Sequence, residues 1–341
     1  MLTVGIHVGC LAIRISQSYR RPGDSSICFE PVEWPAHAHT QWYGCYEGAL
    51  PNAYDPLSGK VGYEALDEVG LAEASRFDTA FFCRMLDDGE QGKQARHVWK
   101  RFLQALRRCP SLRVKERATV VLNLDGVSLV APSSHWVPWR RGDDQTPNLE
   151  KRLRSLGQAY GLMGFKTISD RVAVQCYVIT HHGFQLGDLF ACVGGACTRI
   201  WEIYDPSRGS MKSLDSAVGI RDFIETLDKT DGLDESVLRA LLLFLQQPDR
   251  LDDFGARPRL EVWQKEKLFP GTLTALRKMS APQAASARRL WIGGEGASLL
   301  APWKDRVKHS DAVRWAPDTL YLPAYGAAVA AHQYHIHSSE E

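Results

Sequence analysis

Three glycine-bearing turns hold the residues of this sequence best suited to chemistry. They stand at Gly9, at Gly194-Gly195 followed by Ala196, and at Gly293-Gly294, with Gly296 just beyond. Glycine has no Cβ to block a phosphate oxygen, so successive backbone N–H groups in such turns can form an anion-binding nest. Any one turn is ambiguous, because a tight connection between strands calls for glycine whatever the ligand. Two arginines follow the first two turns, Arg14 and Arg199, and a guanidinium can hold phosphate through paired hydrogen bonds. On an outward strand face an arginine is simply solvated, which is the reading taken for Arg199.

The elements that must carry these turns can be read around them. Val4 to Ser16 is strand, turn, strand, and Asp188 to Tyr204 repeats that layout. His7, Gly9 and Arg14 stand at the same offsets as Cys192, Gly194 and Arg199, a weak internal duplication. Between the hairpins, helical spacing covers Gln94 to Arg108 and Asn148 to Met163, with a strand at Ala118 to Leu124 and extended character from Val127 to Ala131. A short segment, Phe165 to Ile168, leads into a predicted strand over Val172 to Ile179. Helices are predicted over 217–229, 235–247 and 271–279, with a polar, proline-containing region up to Phe269. A strand at Arg289 to Ile292 enters the third turn, and Leu320 to Ala331 precedes a polar tail.

With 341 residues, the chain has room for two α/β lobes. Its 41 Lys and Arg balance 40 Asp and Glu, which leaves no large basic footprint for nucleic acid. No segment approaches the roughly twenty apolar residues of a membrane span. The start, Met1 to Ile15, lacks the marks of a signal peptide. Eight scattered cysteines form no CxxC pair, so free thiols and a cytoplasmic location are expected.

Five stretches in order resemble the superfamily of actins, sugar kinases and heat-shock ATPases. Gly5-Ile6-His7-Val8-Gly9 with Arg14 is similar to the first phosphate loop; in plasmid-segregating bacterial actins, the family closest in layout, Asp stands at the place of His7 and Lys at that of Arg14. Val193 to Thr198 resembles the second phosphate loop, which Asp precedes in the family and Cys192 precedes here. Leu149 to Ala173 is similar to the connecting-helix region, which carries a Glu near Asp170. Ile292 to Leu300 resembles the adenosine motif, and Pro323 to Ala331 the closing helix.

The resemblance implies an α/β, two-lobed actin-like fold, ribonuclease H-like and duplicated, with a central nucleotide-type cleft. Lobe I covers 1–180, with a peripheral subdomain at about 17–95; lobe II covers 181–320, with a helical insert at about 210–285; 321–341 returns to lobe I as closing helix and tail. It assigns ATP or ADP to Gly9, Cys10, Arg14, Gly194, Gly195, Ala196, Gly293, Gly294 and Gly296, and a water-positioning role to Asp170. An Asp just before a strand can equally bond to the backbone of its own turn.

The departures lie where the metal would be held. Magnesium is a hard cation that takes oxygen ligands, whereas His7 and Cys192 offer nitrogen and sulfur. The expected function is therefore a degenerate actin-like scaffold or filament subunit, binding adenine nucleotide with little or no hydrolysis and working through protein partners or self-assembly. The alternative is an active ATPase of plasmid partition or the cytoskeleton with relocated carboxylates, from Asp125, Asp170 and Glu295. A sugar or acetate kinase lacks a convincing second acid to serve as base. Zinc on His7 and Cys192, with Cys10 or Cys197, is set against their packing as small buried residues. His181-His182 reads as a linker, and His332, His335 and His337 as an exposed tail.

Overall fold

A computed structural model describes residues 2–8, 12–20, 27–31, 49–51, 55, 57–58, 89–90, 93, 96–97, 119–123, 128–130, 136–138, 166–168, 170–180, 183–194, 197–203, 213–216, 218–225, 257–280, 289–300, 312–316 and 322–338. The chain divides into two compact units, Met1–Thr180 with Pro323–Glu341, and His181–Leu322. Among the described residues no helix is long and apolar enough to cross a membrane.

The first unit is built on a sheet that begins with a hairpin. Strands β1 (Leu2–Val8) and β2 (Ala12–Arg20) pair antiparallel, as the two runs around Gly9 predict. β3 (Ile27–Pro31) and β4 (Ala49–Pro51) both pair antiparallel with β2, so part of the stretch assigned to a peripheral subdomain belongs to the main sheet. On the other side β1 runs parallel to β5 (Thr119–Asn123). Beyond a separate β6–β7 hairpin (Ser128–Val130, Trp136–Pro138), β8 (Lys166–Ile168) pairs parallel with β5. The sheet order is β3-β2-β1-β5-β8.

The next element corrects the sequence reading. Val172 to Ile179, predicted as a strand, lies within helix α1 (Asp170–Thr180). Its apolar, β-branched run carries the propensity of a strand, and periodicity in so short a run cannot separate a buried strand from a buried helix. The burial settles the period. Ala173, Val174, Tyr177 and Val178 are buried while Val172 is exposed, a stripe that repeats every turn of an α-helix. Asp170 thus opens a helix rather than preceding a strand.

The second unit repeats the first sheet's plan. β9 (Leu189–Val193) and β10 (Thr198–Glu202) form the second predicted hairpin, and β11 (Ser213–Ser216) pairs antiparallel with β10. β11 falls inside the stretch expected to be a helical insert. After the short helix α2 (Ile220–Glu225), residues 257–268 prove helical where a polar connection was expected: α3 (Arg257–Trp263) runs into one π-helical segment, Gln264–Leu268, and on into α4 (Phe269–Ser280). The prolines misled the reading. Pro258 sits in the first turn, where its missing N–H is no loss. Pro270 would collide with the carbonyl four residues earlier in a regular helix, and the wider π turn that precedes it, with Phe269 N–H donating to Gln264 O, accommodates it.

β12 (Leu290–Gly293) and β13 (Val313–Trp315) complete a sheet of order β11-β10-β9-β12-β13. β12 pairs parallel with both β9 and β13. Strand directions therefore match the first sheet position by position. Ala191 and Ile200 bury against Ala275 of α4. At the start of β9, buried Asp188 accepts a hydrogen bond from Trp291 Nε1 at 2.8 Å and lies 2.9 Å from Arg289 Nη2, tying β9 to β12.

The chain closes with α5 (Leu322–Ser338), which continues through His332, His335 and His337, where a polar tail was expected. It packs on α1 and β8 through Ala327, Ala330 and Ala331 against Ala173 and Ile168. Gly326 lies so close to α1 that a Cβ there would fall on the carbonyl of Ala173. This is a backbone-to-backbone crossing, with no flexible side chain to yield. Gly326→Ala is expected to destabilise the fold by about 3 kcal/mol or more, an overpacking cost without relief. Urea denaturation of the purified variant against the parent chain measures it.

The predicted helices at 148–163 and 235–247, and most of 94–108, lie outside the described residues, although residues 90, 93, 96 and 97 are helical.

Candidate functional site

The two hairpins set the site residues by register. His7 on β1 lies directly opposite Arg14 on β2, and Cys192 on β9 directly opposite Arg199 on β10. The equal offsets in sequence are therefore equal positions in structure. On the far side of His7 and of Cys192 the neighbour also corresponds: Asn123 of β5 beside His7, and Gly293 of β12 beside Cys192.

In the first unit, His7 and Arg14 are both buried, Arg14 completely. Gly5, two residues before His7 and so on the same sheet face, packs against the backbone of Ala324 and Ala328 in α5. Arg14 is accordingly no solvated surface arginine. Gly9 and Cys10 lie outside the described residues.

In the second unit, the turn between β9 and β10 is closed by Gly194 N–H donating to Cys197 O at 3.0 Å. Gly194 O in turn accepts from Ile220 N–H at 3.0 Å. The amide of Gly194 is thus engaged within its own turn, and Gly195 and Ala196 lie outside the described residues. Arg199 is half-buried. Its other cross-strand neighbour is Asp215 of β11.

The third turn leads into a 3-10 segment, Glu295–Leu300. Gly294 has φ +92°, and a Cβ there would come within 2.7 Å of Cys192 Sγ and 2.8 Å of Val193 O. Its glycine is therefore demanded by packing on β9 as well as by backbone conformation. The buried Gln264 amide donates to Leu299 O, fastening the π-helical segment to the end of this turn. A cavity of about 410 Å³ opens beside that segment, lined by Ser216, Glu266, Lys267, Thr274 and Lys278 among others, and includes none of the turn residues.

The two half-sites and their shared strand order can be compared with known proteins. No protein-family model matches the chain, and no curated protein matches its sequence. Solved structures do. MreB5 of Spiroplasma citri bound to ADP is 13% identical, with a TM-score of 0.59, over 100% of this chain and 99% of that one. MreB 5 of the same organism bound to AMPPNP is 13% identical at a TM-score of 0.60, over 99% and 98%. The MamK double helical filament is 13% identical at 0.58, over 97% and 98%. The fold is actin-like.

Within this actin-like fold the test for magnesium rests on the donors. A hydrated magnesium is held by oxygen, usually carboxylate, and neither His7 nor Cys192 supplies one. His7 and Cys192 do not fit that ion. As for zinc, no group of three or more His, Cys, Asp or Glu among the described residues is placed to hold a metal. Cys176 of α1 packs against the cluster of Ile168, Ala173 and Ala327, and burial pushes its thiol up to about 11.

The register also relates two of the acids that the sequence offers as alternative carboxylates. Asn123-Leu124-Asp125-Gly126 and Gly293-Gly294-Glu295-Gly296 begin at corresponding sheet positions, so Asp125 and Glu295 are two residues beyond equivalent points. Both stretches end in an acid followed by glycine. Glu295 is buried; Asp125 lies outside the described residues, and the side chain of Asp170 is likewise not described.

The contact between Gly294 and Cys192 yields a coupling test. Gly294→Ala is expected to cost at least about 1 kcal/mol from its positive φ alone. In a Cys192→Ala background the cost should shrink by about 0.5 kcal/mol or more, because the sulfur is one of the two obstacles. A double-mutant cycle in urea reads the coupling; strict additivity would refute the contact.

Proposed function

We propose that this chain works as an actin-like scaffold or filament subunit that binds adenine nucleotide with little or no hydrolysis. One observation carries the reading. His7 and Cys192 occupy matched, buried positions at the ends of the two phosphate-turn strands, and neither brings the carboxylate that would hold magnesium. Phosphoryl transfer in nucleotide hydrolysis depends on a cation to neutralise and align the phosphates. Losing the ligand in both halves removes that support, while the sheets that carry the turns keep their form. Self-assembly is supported by the likeness in fold to MamK, solved as a double helical filament, and nucleotide binding by the likeness to MreB5, solved with ADP and with AMPPNP. A cytoplasmic location fits the same reading.

A second reading has its own support. Glu295 is buried and follows by two residues Gly293, the cross-strand neighbour of Cys192, and in sequence Asp125 stands at the same offset after Asn123, the neighbour of His7. An active ATPase with relocated carboxylates would use such residues, with Asp170 orienting water.

Phosphate release and light scattering from the purified chain, with ATP, ADP or no nucleotide, separate the two. Release at background together with a rise in scattering is the expected result. Release above background that falls in Asp170→Ala or Glu295→Gln establishes the second reading, and absence of assembly under every condition removes the filament form of the first.

A further inference from the structure

Away from the glycine turns, the second unit holds another place built for a ligand. The cavity beside the π-helical segment has α4 as its wall and β11 as its floor, through Leu214 and Ser216. These two alternate along the strand and so share one sheet face, whereas Asp215 between them belongs to the other. Gly271 keeps wall and floor close, since a Cβ there would come within 2.6 Å of Ser216 Oγ.

The polar groups around this cavity are unengaged. Ser216 is only 7% exposed, yet its hydroxyl has no hydrogen-bond partner among the described residues. A buried hydroxyl is ordinarily paired, and one that lines a cavity is paired by what enters it. Lys267 and Lys278 are exposed on the same wall, and neither they nor Glu266 form an ion pair among the described residues. Lys265, by contrast, lies 3.8 Å from Glu261 one turn back. Arg277 adds a further cation beside Lys278 in the last turn of α4. The rim is therefore basic, and an anionic occupant complements it.

The spacing of the lysines asks for an extended occupant. Lys267 and Lys278 are eleven residues apart, which is about 16 Å of helix. A chain in β conformation covers that distance in about five residues. β11 stands at the end of its sheet, so among the described residues one edge of its backbone has no partner strand. Such an edge is a template for an added strand. A strand laid there would carry every second side chain under the flank of α4, where the lysines stand.

We infer that the groove between β11 and α4 docks an extended acidic segment of a partner protein, which pairs with the edge of β11 and sets its carboxylates against Lys267 and Lys278. Ser216 donates a hydrogen bond to that segment. The site is separate from the glycine turns and needs neither nucleotide nor self-assembly.

The experiment is fluorescence anisotropy of a labelled peptide of alternating glutamate and valine, titrated with the full chain. Binding is expected, and added salt should weaken it because the rim charges are screened. The same peptide with lysine for glutamate should not bind, nor should one with proline for its central valine, which lacks the N–H that strand pairing needs. Lys267→Glu and Lys278→Glu should each weaken binding about fivefold or more. Ser216→Ala should weaken it about threefold with unfolding in urea unchanged, because the hydroxyl has no bond to lose in the free chain. No binding at about 1 mM chain, equal binding of the lysine or proline peptide, or parent-like binding by both charge-reversal variants overturns the inference. So does displacement by free glutamate as effective as by unlabelled peptide, which marks a small-anion site. Self-association that Lys278→Glu abolishes, with no peptide bound, overturns it in favour of a second copy. Should a variant fail to fold by circular dichroism, the three peptides on the parent chain still decide the matter.

Discussion

The antiparallel register of two hairpins governs nearly everything else in this molecule. Because side chains alternate between sheet faces, a slip of one residue in either hairpin would send His7 or Cys192 to the opposite face from its present arginine neighbour. Each register is held from both sides. β1 is flanked by β2 and by parallel β5, and β9 by β10 and by parallel β12, so neither strand can shift without breaking two ladders. Equivalence of the two half-sites follows from these pairings and does not require similar sequences.

Packing adds a second layer of constraint, and it falls on the same small residues that suggest a ligand. Gly5 admits the backbone of α5 to the face of β1, and Gly326 admits the backbone of α1 to α5. Gly294 makes room for Cys192 and the backbone of Val193. In each case close approach of main chain explains the glycine before any phosphate is considered. Among the candidate glycines, those at 293, 294 and 296 consequently carry less information about nucleotide than their pattern suggests.

This distinction explains what could be read from sequence. The hairpins were legible because a β-branched run, a glycine turn and a second run leave few alternatives, and the repeated offset of His7 and Arg14 in Cys192 and Arg199 foreshadowed their pairing. The actin-like fold followed from the order of such pieces. Helix α1 was not legible, because Val172, Val174, Val178 and Ile179 favour a strand locally and the alanine-rich face of α5 that overrides them is more than 140 residues away. Residues 257–268 were hidden by prolines that a helix start and a π turn absorb. The acid at 215 was hidden differently: nothing in its local sequence says that it will stand beside Arg199, since only the pairing of β11 puts it there.

His7 and Cys192 also bear on what kind of change the two half-sites have undergone. They stand at equivalent positions yet differ in size, in hydrogen-bonding capacity and in the metals they would prefer, so selection for one new ligand does not account for both. What they share is the absence of a carboxylate. That common factor is electrostatic. A carboxylate buried in either row would need a compensating cation, because an ionised group in a protein interior is tolerated only when it is paired. The two rows differ in composition as well: Asp215 neighbours Arg199 across the strands of one, while the row of Arg14 holds Asn123, His7 and Ala49.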